Sequence, residues 1–153
     1  MVANIAINGF GRIGRCFVRA ALADREFLQI ARILGINDLT DAKTLAHLFK
    51  YDSTFGRYEG FVEANENEIV INGHNIKIFS EKDPLKLPWK DLLIDLVVES
   101  TGNFNDAKEA MKHMTAGAKK VIISAPATSP DATVLLGIND LKNDSDHFLY
   151  ERE

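Results

Sequence analysis

Near the amino end of the chain, Ile5-Ala6-Ile7-Asn8 runs into Gly9-Phe10-Gly11-Arg12-Ile13-Gly14 and then into a helix-forming stretch. Three glycines spaced G-x-G-x-x-G between a strand and a helix have a definite chemical use. They turn backbone N–H groups and the positive end of a helix toward open space, which suits the two phosphates of a dinucleotide. In this reading Gly9 permits a tight turn, Gly11 lets the backbone approach the pyrophosphate, and Gly14 lets the helix lie close on the sheet. Asp38 closes the next apolar run, 24 residues beyond Gly14. A carboxylate there can accept hydrogen bonds from a ribose 2′-OH and repels a 2′-phosphate, so NAD is expected rather than NADP. Three apolar runs end in small polar residues: Asn37-Asp38, Ser100-Thr101-Gly102 and Ser124-Ala125-Pro126. Ligands of open α/β sheets bind outside the carboxyl ends of the strands, so these ends and the glycine turn are expected to border one cleft.

The other reactive side chains do not form a second constellation. Cys16, the single cysteine, falls in the first turns of the first helix near Phe17 and Ala20 and reads as a packing residue. His47, His74, His113 and His147 are scattered, without the spacing of a metal site, and read as surface or packing histidines. With 153 residues, 46% of them hydrophobic, the chain is long enough for a full core without disulfide help. The net charge of −4 and the scattering of basic residues argue against a nucleic-acid partner. A lone cysteine, no signal-peptide pattern at the start and no apolar run near the membrane-spanning length lead to the expectation of a cytoplasmic protein without a membrane partner.

The elements that must position the cleft follow from periodicity. Val2 to Asn8 predicts a strand, Arg12 to Ala23 a helix with Ile13, Phe17, Ala20 and Ala21 at helical spacing, and Gln29 to Asn37 a second strand. Asp41 is placed to cap a helix over Ala42 to Phe49, with Leu45, Leu48 and Phe49 inward. Glu68 to Ile71 and His74 to Phe79 flank Asn72-Gly73, which predicts a hairpin inserted into an otherwise parallel pattern. Leu93 to Glu99, Lys120 to Ser124 and Ala132 to Gly137 read as further strands. Between the first two lies a helix over Asp106 to Ala116, with Ala107, Ala110, Met111 and Met114 at core spacing and Gly117 to end it. Strand and helix alternate at short intervals, so the fold class expected is α/β, a Rossmann-like, mostly parallel, doubly wound sheet with an antiparallel hairpin insertion. Residues 1–139 form this domain, and residues 140–153 are expected to be a charged, loosely held tail.

Several long motifs go further. Asn8 to Arg15, Ile36-Asn37-Asp38, Leu45 to Arg57, Val98 to Phe104 and Ala116 to Pro126 resemble, in order, the amino-terminal half of phosphorylating glyceraldehyde-3-phosphate dehydrogenase. The likeness runs from about residue 3 to about residue 139. Enzymes of that family convert glyceraldehyde 3-phosphate, NAD and phosphate to 1,3-bisphosphoglycerate in glycolysis. The resemblance implies that Phe10, Gly11, Arg12 and Ile13 line the pyrophosphate, and that Asp38 takes the adenosine ribose. It puts Lys82 beside the adenine, where the family often has arginine; lysine keeps the charge and loses the flat stacking face. It puts Thr101, Gly102 and Phe104 near the adenine and nicotinamide ribose, and Ser124, next to Ala125, near the nicotinamide. The family reaction needs a thiolate nucleophile and a histidine base. The nucleophile motif follows the Gly137-Ile138-Asn139 equivalent, and Phe148 to Glu153 do not resemble the approach to it. The substrate domain is therefore expected to be absent from these residues, and the chain alone inactive, with no catalytic residue of its own. An exposed docking face would then favour self-association or the missing half as partner. Two alternatives stay open: a non-catalytic NAD-binding or interaction module, and a piece of an erythrose-4-phosphate dehydrogenase.

Overall fold

The computed structural model describes residues 2–135 and 137–139, together with the backbone of residues 149–152. Strand β1 (Ala3–Asn8) leads through the glycine turn into α1 (Arg12–Ala23), a short α2 (Arg25–Ile30), β2 (Ala31–Asn37) and α3 (Ala42–Lys50). Two short pairs of residues, β3 (Tyr51–Asp52) and β4 (Gly56–Arg57), form a ribbon, followed by β5 (Val62–Ala64), β6 (Glu68–Ile71) and β7 (His74–Phe79). The chain continues through β8 (Leu96–Glu99), α4 (Ala107–Thr115), β9 (Lys120–Ile123), β10 (Ala132–Val134) and β11 (Leu149–Arg152). Among the described residues nine strands form one sheet in the order β10-β11-β9-β8-β1-β2-β7-β6-β5. β1 is central and parallel to both β2 and β8, so the glycine turn, Asp38 and Ser100 leave the sheet at the same edge.

Alternation along the strands divides the interior into two cores. Ile5 and Ile7 of β1 join Val18, Leu45, Phe49 and Ile76 on the face covered by α1 and α3. Ala6 joins Trp89, Ile94, Val97, Ala110 and Val121 on the face covered by α4. The sheet is thus doubly wound, as expected of parallel strands with apolar side chains on both faces. Arg19 pins α1 to the other elements of its side. Its guanidinium lies 5.4 Å from the Phe49 ring centroid and 5.5 Å from that of Tyr58, and it donates to the carbonyls of Phe49 and Gly56.

Several details depart from the sequence expectations. Gln29 and Ile30 belong to α2, not to the second strand, because Asp24 caps a helix there by accepting from the N–H groups of Glu26 and Phe27. Leu48 and Met111 satisfy helical spacing yet are 38% and 51% exposed, each at the margin of an apolar stripe. Leu93 lies outside β8 with φ of 51°. It forms a turn whose carbonyl, like that of Leu92, accepts from the Asn4 side-chain amide. The Asn72-Gly73 hairpin forms with both residues at positive φ, as an Asn-Gly turn requires. The expected antiparallel insertion is present and joins the main sheet, because β7 pairs antiparallel with β6 and parallel with β2. Leu149–Arg152, expected in a loose tail, form β11 between β9 and β10, where they complete the backbone ladder of an otherwise open edge. The rest of the proposed tail, residues 140–148 and 153, lies outside the described residues.

At the opposite end of the sheet, Asp95 accepts from the Asn4 N–H at 2.8 Å and from Lys119 Nζ at 2.6 Å. The Asn4 N–H and the Lys119 ammonium hold its carboxyl below the usual value of 3.8. A depressed folded-state pKa contributes stability above the unfolded value, and that contribution is lost as pH falls through the folded one. Asp95→Asn is therefore expected to be less stable at neutral pH. Its melting temperature should also fall less steeply below about pH 4, as thermal unfolding across a pH series would record.

Candidate functional site

The carboxyl edge of the sheet holds a pocket of about 350 Å³ lined by residues from four strand ends and the loops that follow them, among them Gly9, Gly11, Asp38, Lys82, Thr101 and Phe104. Its shape depends on close packing of the glycine turn. Gly9 has φ of +91°, and a Cβ on it would lie 2.7 Å from the Thr101 nitrogen. A Cβ on Gly14 would lie 2.3 Å from the Gly9 carbonyl oxygen, so any other residue there would push α1 off the turn. Gly11 differs from both. Its backbone is ordinary, with φ of −70°, and a Cβ on it would meet nothing within 4 Å. The space it leaves belongs to the pocket, a cradle that a side chain would fill.

Gly11 caps α1 without a side-chain hydrogen bond, and the first turn carries no acidic residue. The N–H groups and dipole of that turn therefore present positive potential to the pocket, suited to phosphate oxygens. Across from it, Asp38 is already ordered. One carboxylate oxygen accepts from the Phe10 N–H at 2.8 Å and the other from the Thr40 N–H at 3.0 Å. A carboxylate oxygen accepts more than one hydrogen bond, so both retain capacity for hydroxyl donors. Asp38 thus holds the glycine turn and faces the ligand space together. Ser100 ties the same turn from the other side, its hydroxyl donating to the Gly9 carbonyl at 2.7 Å.

The residues expected to form the site divide into groups. Gly9, Gly11, Asn37, Asp38, Lys82, Ser100, Thr101 and Phe104 border the pocket. Arg12 and Ile13 sit exposed in the first turn of α1, and Gly14 is buried beneath it. Gly102 occupies a turn with φ of 73° beside Thr101. The Phe10 ring is buried in the core, stacked at 6.0 Å on Phe49, so only its backbone is at the turn. Ser124 and its neighbour Ala125 follow β9; Ser124 borders a separate apolar groove of about 470 Å³ formed by Ile13, Cys16, Phe17 and Ala20 against Leu96, Val98 and Ile122. Cys16 is accordingly half-buried at a groove wall, not enclosed in a core.

Sequence reasoning passed over Asn8, Leu39, Glu81 and Asn103, which also border the pocket, and the side chains beneath it. Glu99 and His113 are 1% and 0% exposed and lie 3.1 Å apart, Glu99 Oε2 to His113 Nε2. An acid closing the apolar run Leu96-Val97-Val98 was the available sign, since ionisable groups are rarely buried without partners. Among the described residues no group of three His, Cys, Asp or Glu side chains is arranged to hold a metal.

Comparison with known proteins identifies the family. The profile of the family described as glyceraldehyde 3-phosphate dehydrogenase, NAD binding domain, matches residues 3–107. The chain belongs to the glyceraldehyde-3-phosphate dehydrogenase family. It is 53% identical over 141 residues to glyceraldehyde-3-phosphate dehydrogenase 1 of Bacillus cereus, covering 92% of this chain and 41% of that protein. Against the glyceraldehyde-3-phosphate dehydrogenase of Thermotoga maritima it is 53% identical over 139 residues, 91% of this chain and 41% of the relative. The enzyme of Geobacillus stearothermophilus is 50% identical over 144 residues, 94% and 42% of the two chains. The chain therefore spans about two fifths of the length of these relatives. It is an NAD-binding domain of this family, and the Gly11 cradle, the bare first turn of α1 and the Asp38 carboxylate fit the cofactor's phosphates and ribose.

The glycines separate folding from binding. Gly11→Ala is expected to leave the melting temperature within about 2 °C of the parent, because its Cβ meets open space and its backbone is unstrained. Calorimetric titration should nonetheless show NAD bound at least about tenfold more weakly, a loss near 1.4 kcal/mol. Gly9→Ala combines a positive φ with a backbone clash and should lower stability by about 1–3 kcal/mol.

Proposed function

We propose that the chain is the cofactor half of a phosphorylating glyceraldehyde-3-phosphate dehydrogenase, acting in the cytoplasm on glyceraldehyde 3-phosphate, NAD and phosphate. The observation that carries this reading is the pocket itself, in which the glycine turn, Asp38 and Thr101 are brought together by three neighbouring parallel strands. When held there, NAD would supply the hydride acceptor for the substrate. The residues of this chain bind and orient it. The first turn of α1, including the exposed Arg12 and Ile13, meets the pyrophosphate. Asp38 accepts from the adenosine ribose and disfavours a 2′-phosphate. Lys82 would stand beside the adenine, and Thr101, Gly102 and Phe104 near the adenine and the nicotinamide ribose. Ser124 and Ala125, at the end of β9, would hold the nicotinamide end. The thiolate and histidine chemistry is assigned to a catalytic domain outside these residues.

The apolar groove between α1 and β8–β9 supports the same reading. Ile13 is 52% exposed there, and no described element covers the groove. We assign it as the docking surface for the catalytic half. In the 153-residue chain alone, an uncovered apolar surface of this kind promotes self-association. Sedimentation velocity should therefore show a concentration-dependent increase in mass, and a clean monomer across a wide range would count against it.

Titration calorimetry of the chain should show NAD binding, at least about tenfold tighter than NADP, with the preference reduced in Asp38→Ala. A coupled assay with the aldehyde, NAD and phosphate should show no turnover by this chain. Robust turnover would overturn the assignment of the chemistry to another domain.

A further inference from the structure

Beneath the pocket, a continuous chain of polar side chains crosses four strand ends. The Glu81 N–H donates to Asn37 Oδ1 at 2.8 Å, Asn37 Nδ2 to Asn8 Oδ1 at 2.7 Å, and Asn8 Nδ2 to Glu99 Oε2 at 2.6 Å. On the far side, His113 Nε2 lies 3.1 Å from the same Glu99 oxygen, and Trp89 Nε1 donates to His113 Nδ1 at 3.0 Å. The other carboxylate oxygen accepts from the Thr101 N–H at 2.8 Å and from the Thr101 hydroxyl. Asn8, Asn37, Glu99 and His113 are all at most 5% exposed.

The direction of every bond in this chain is forced. An indole nitrogen only donates, so His113 Nδ1 must accept, and His113 is the neutral tautomer with its proton on Nε2. That proton points at Glu99. At the other end a backbone N–H at Glu81 fixes the Asn37 amide, which fixes the Asn8 amide, which turns its NH₂ toward Glu99. A third fixed donor, the Thr101 N–H, meets the second oxygen. Three donors of fixed direction therefore converge on Glu99 from β1 (Asn8), α4 (His113) and the loop after β8 (Thr101), and all four of its hydrogen bonds are accepted ones.

We propose that Glu99 is the positioning residue of the cofactor cleft. It acts as an all-acceptor hub that sets the Asn8 amide, the Ser100–Asn103 loop and, through Asn37, the Glu81 backbone in the orientation that receives NAD. The proposal rests on the reading of the pocket as the NAD site. A neutral amide cannot replace the carboxylate. With its NH₂ toward Asn8 and His113, reversing the two asparagines ends with an NH₂ facing the Glu81 N–H, and His113 cannot release Nε2–H without losing Trp89. With its NH₂ toward Thr101, the hydroxyl can turn to accept but the backbone N–H cannot. Either placement strands a donor that has no alternative partner, and a buried unpaired donor destabilises the arrangement that holds it. Asn103 shares in this second case, since its N–H donates to the Thr101 hydroxyl oxygen at 3.0 Å.

The decisive variants lie at the far end of the chain, because His113 does not border the pocket. His113→Phe removes the donor to Glu99, and His113→Gln retains an N–H donor on a side chain of similar reach. In the 153-residue protein, His113→Phe is expected to raise the NAD dissociation constant at least about fivefold, and His113→Gln to recover most of that loss. The combination of His113→Phe with Asn37→Ala should cost less affinity than the two single losses together, since one hub connects them. Amide hydrogen exchange read by NMR should quicken at Thr101 and Glu81 in His113→Phe, with β6 unaffected. Should His113→Phe not fold, Glu99→Gln serves in its place, with faster exchange at Thr101 or Glu81 and weaker NAD binding expected. Unchanged exchange at both amides, or strictly additive losses of affinity, would overturn the proposal. Failure of the unsubstituted chain to bind NAD would instead overturn the cofactor reading, and the exchange rates would still decide whether Glu99 positions these loops.

Discussion

The structure depends on the closeness of one contact, that between the Gly9 carbonyl and Gly14 at the start of α1. With 2.3 Å between that oxygen and the place of a Gly14 Cβ, only hydrogen fits. This brings the helix terminus directly over the ends of β1 and β8. The approach has a further consequence on the opposite side of the turn, where Gly9 in turn leaves no space for a Cβ against Thr101. The helix, the turn and the loop after β8 are therefore stacked as three backbones in contact. The peptide dipoles of the turn and of the α1 terminus present positive potential there, beside the side chains of Arg12 and Lys82. Two side chains hold this arrangement, Asp38 from β2 and Ser100 from β8.

The two faces of the sheet are completed differently, and the difference explains the surface. On the α4 face, Trp89 and the segment before β8 close over Ala6, Val97 and Val121, and the core is sealed. On the α1 face, α1 and α3 cover β1, β2 and β7, while Leu96, Val98 and Ile122 border an open groove. Doubly wound sheets bury both faces of their parallel strands. The apolar character of Ile122 and Leu96 is therefore that of a strand face meant for contact.

How much of this was legible in the sequence varied with the range of the interactions involved. The glycine turn, the Asn72-Gly73 hairpin and the Asp41 cap were readable because each is decided within a few residues, by backbone φ or by one local hydrogen bond. Helix α2 was concealed because its residues Leu28, Gln29 and Ile30 lead directly into the β2 run, and Asp24, its cap, follows α1 without a break. Leu93 reads as strand by composition, but the Asn4 amide, 89 residues away, captures its carbonyl and holds the turn. Leu48 and Met111 fit the helical period and still face solvent, since periodicity gives the direction of a stripe and not its width.

The sequence alone determined the ligand class and the family, because a phosphate-binding turn and its acidic partner are defined by residue types at fixed short spacing. It also determined that the sheet would be mostly parallel, through the alternation of strand and helix. Only the tertiary structure decided which polar groups support the cleft. Asn8, Asn37, Glu99, His113 and Trp89 are spread over more than a hundred positions and have no common motif. They meet because β7, β2, β1 and β8 lie side by side with α4 packed behind them. Their hydrogen bonds then acquire a direction that depends on which donors are fixed at the ends, a property of the assembled network that no local pattern encodes.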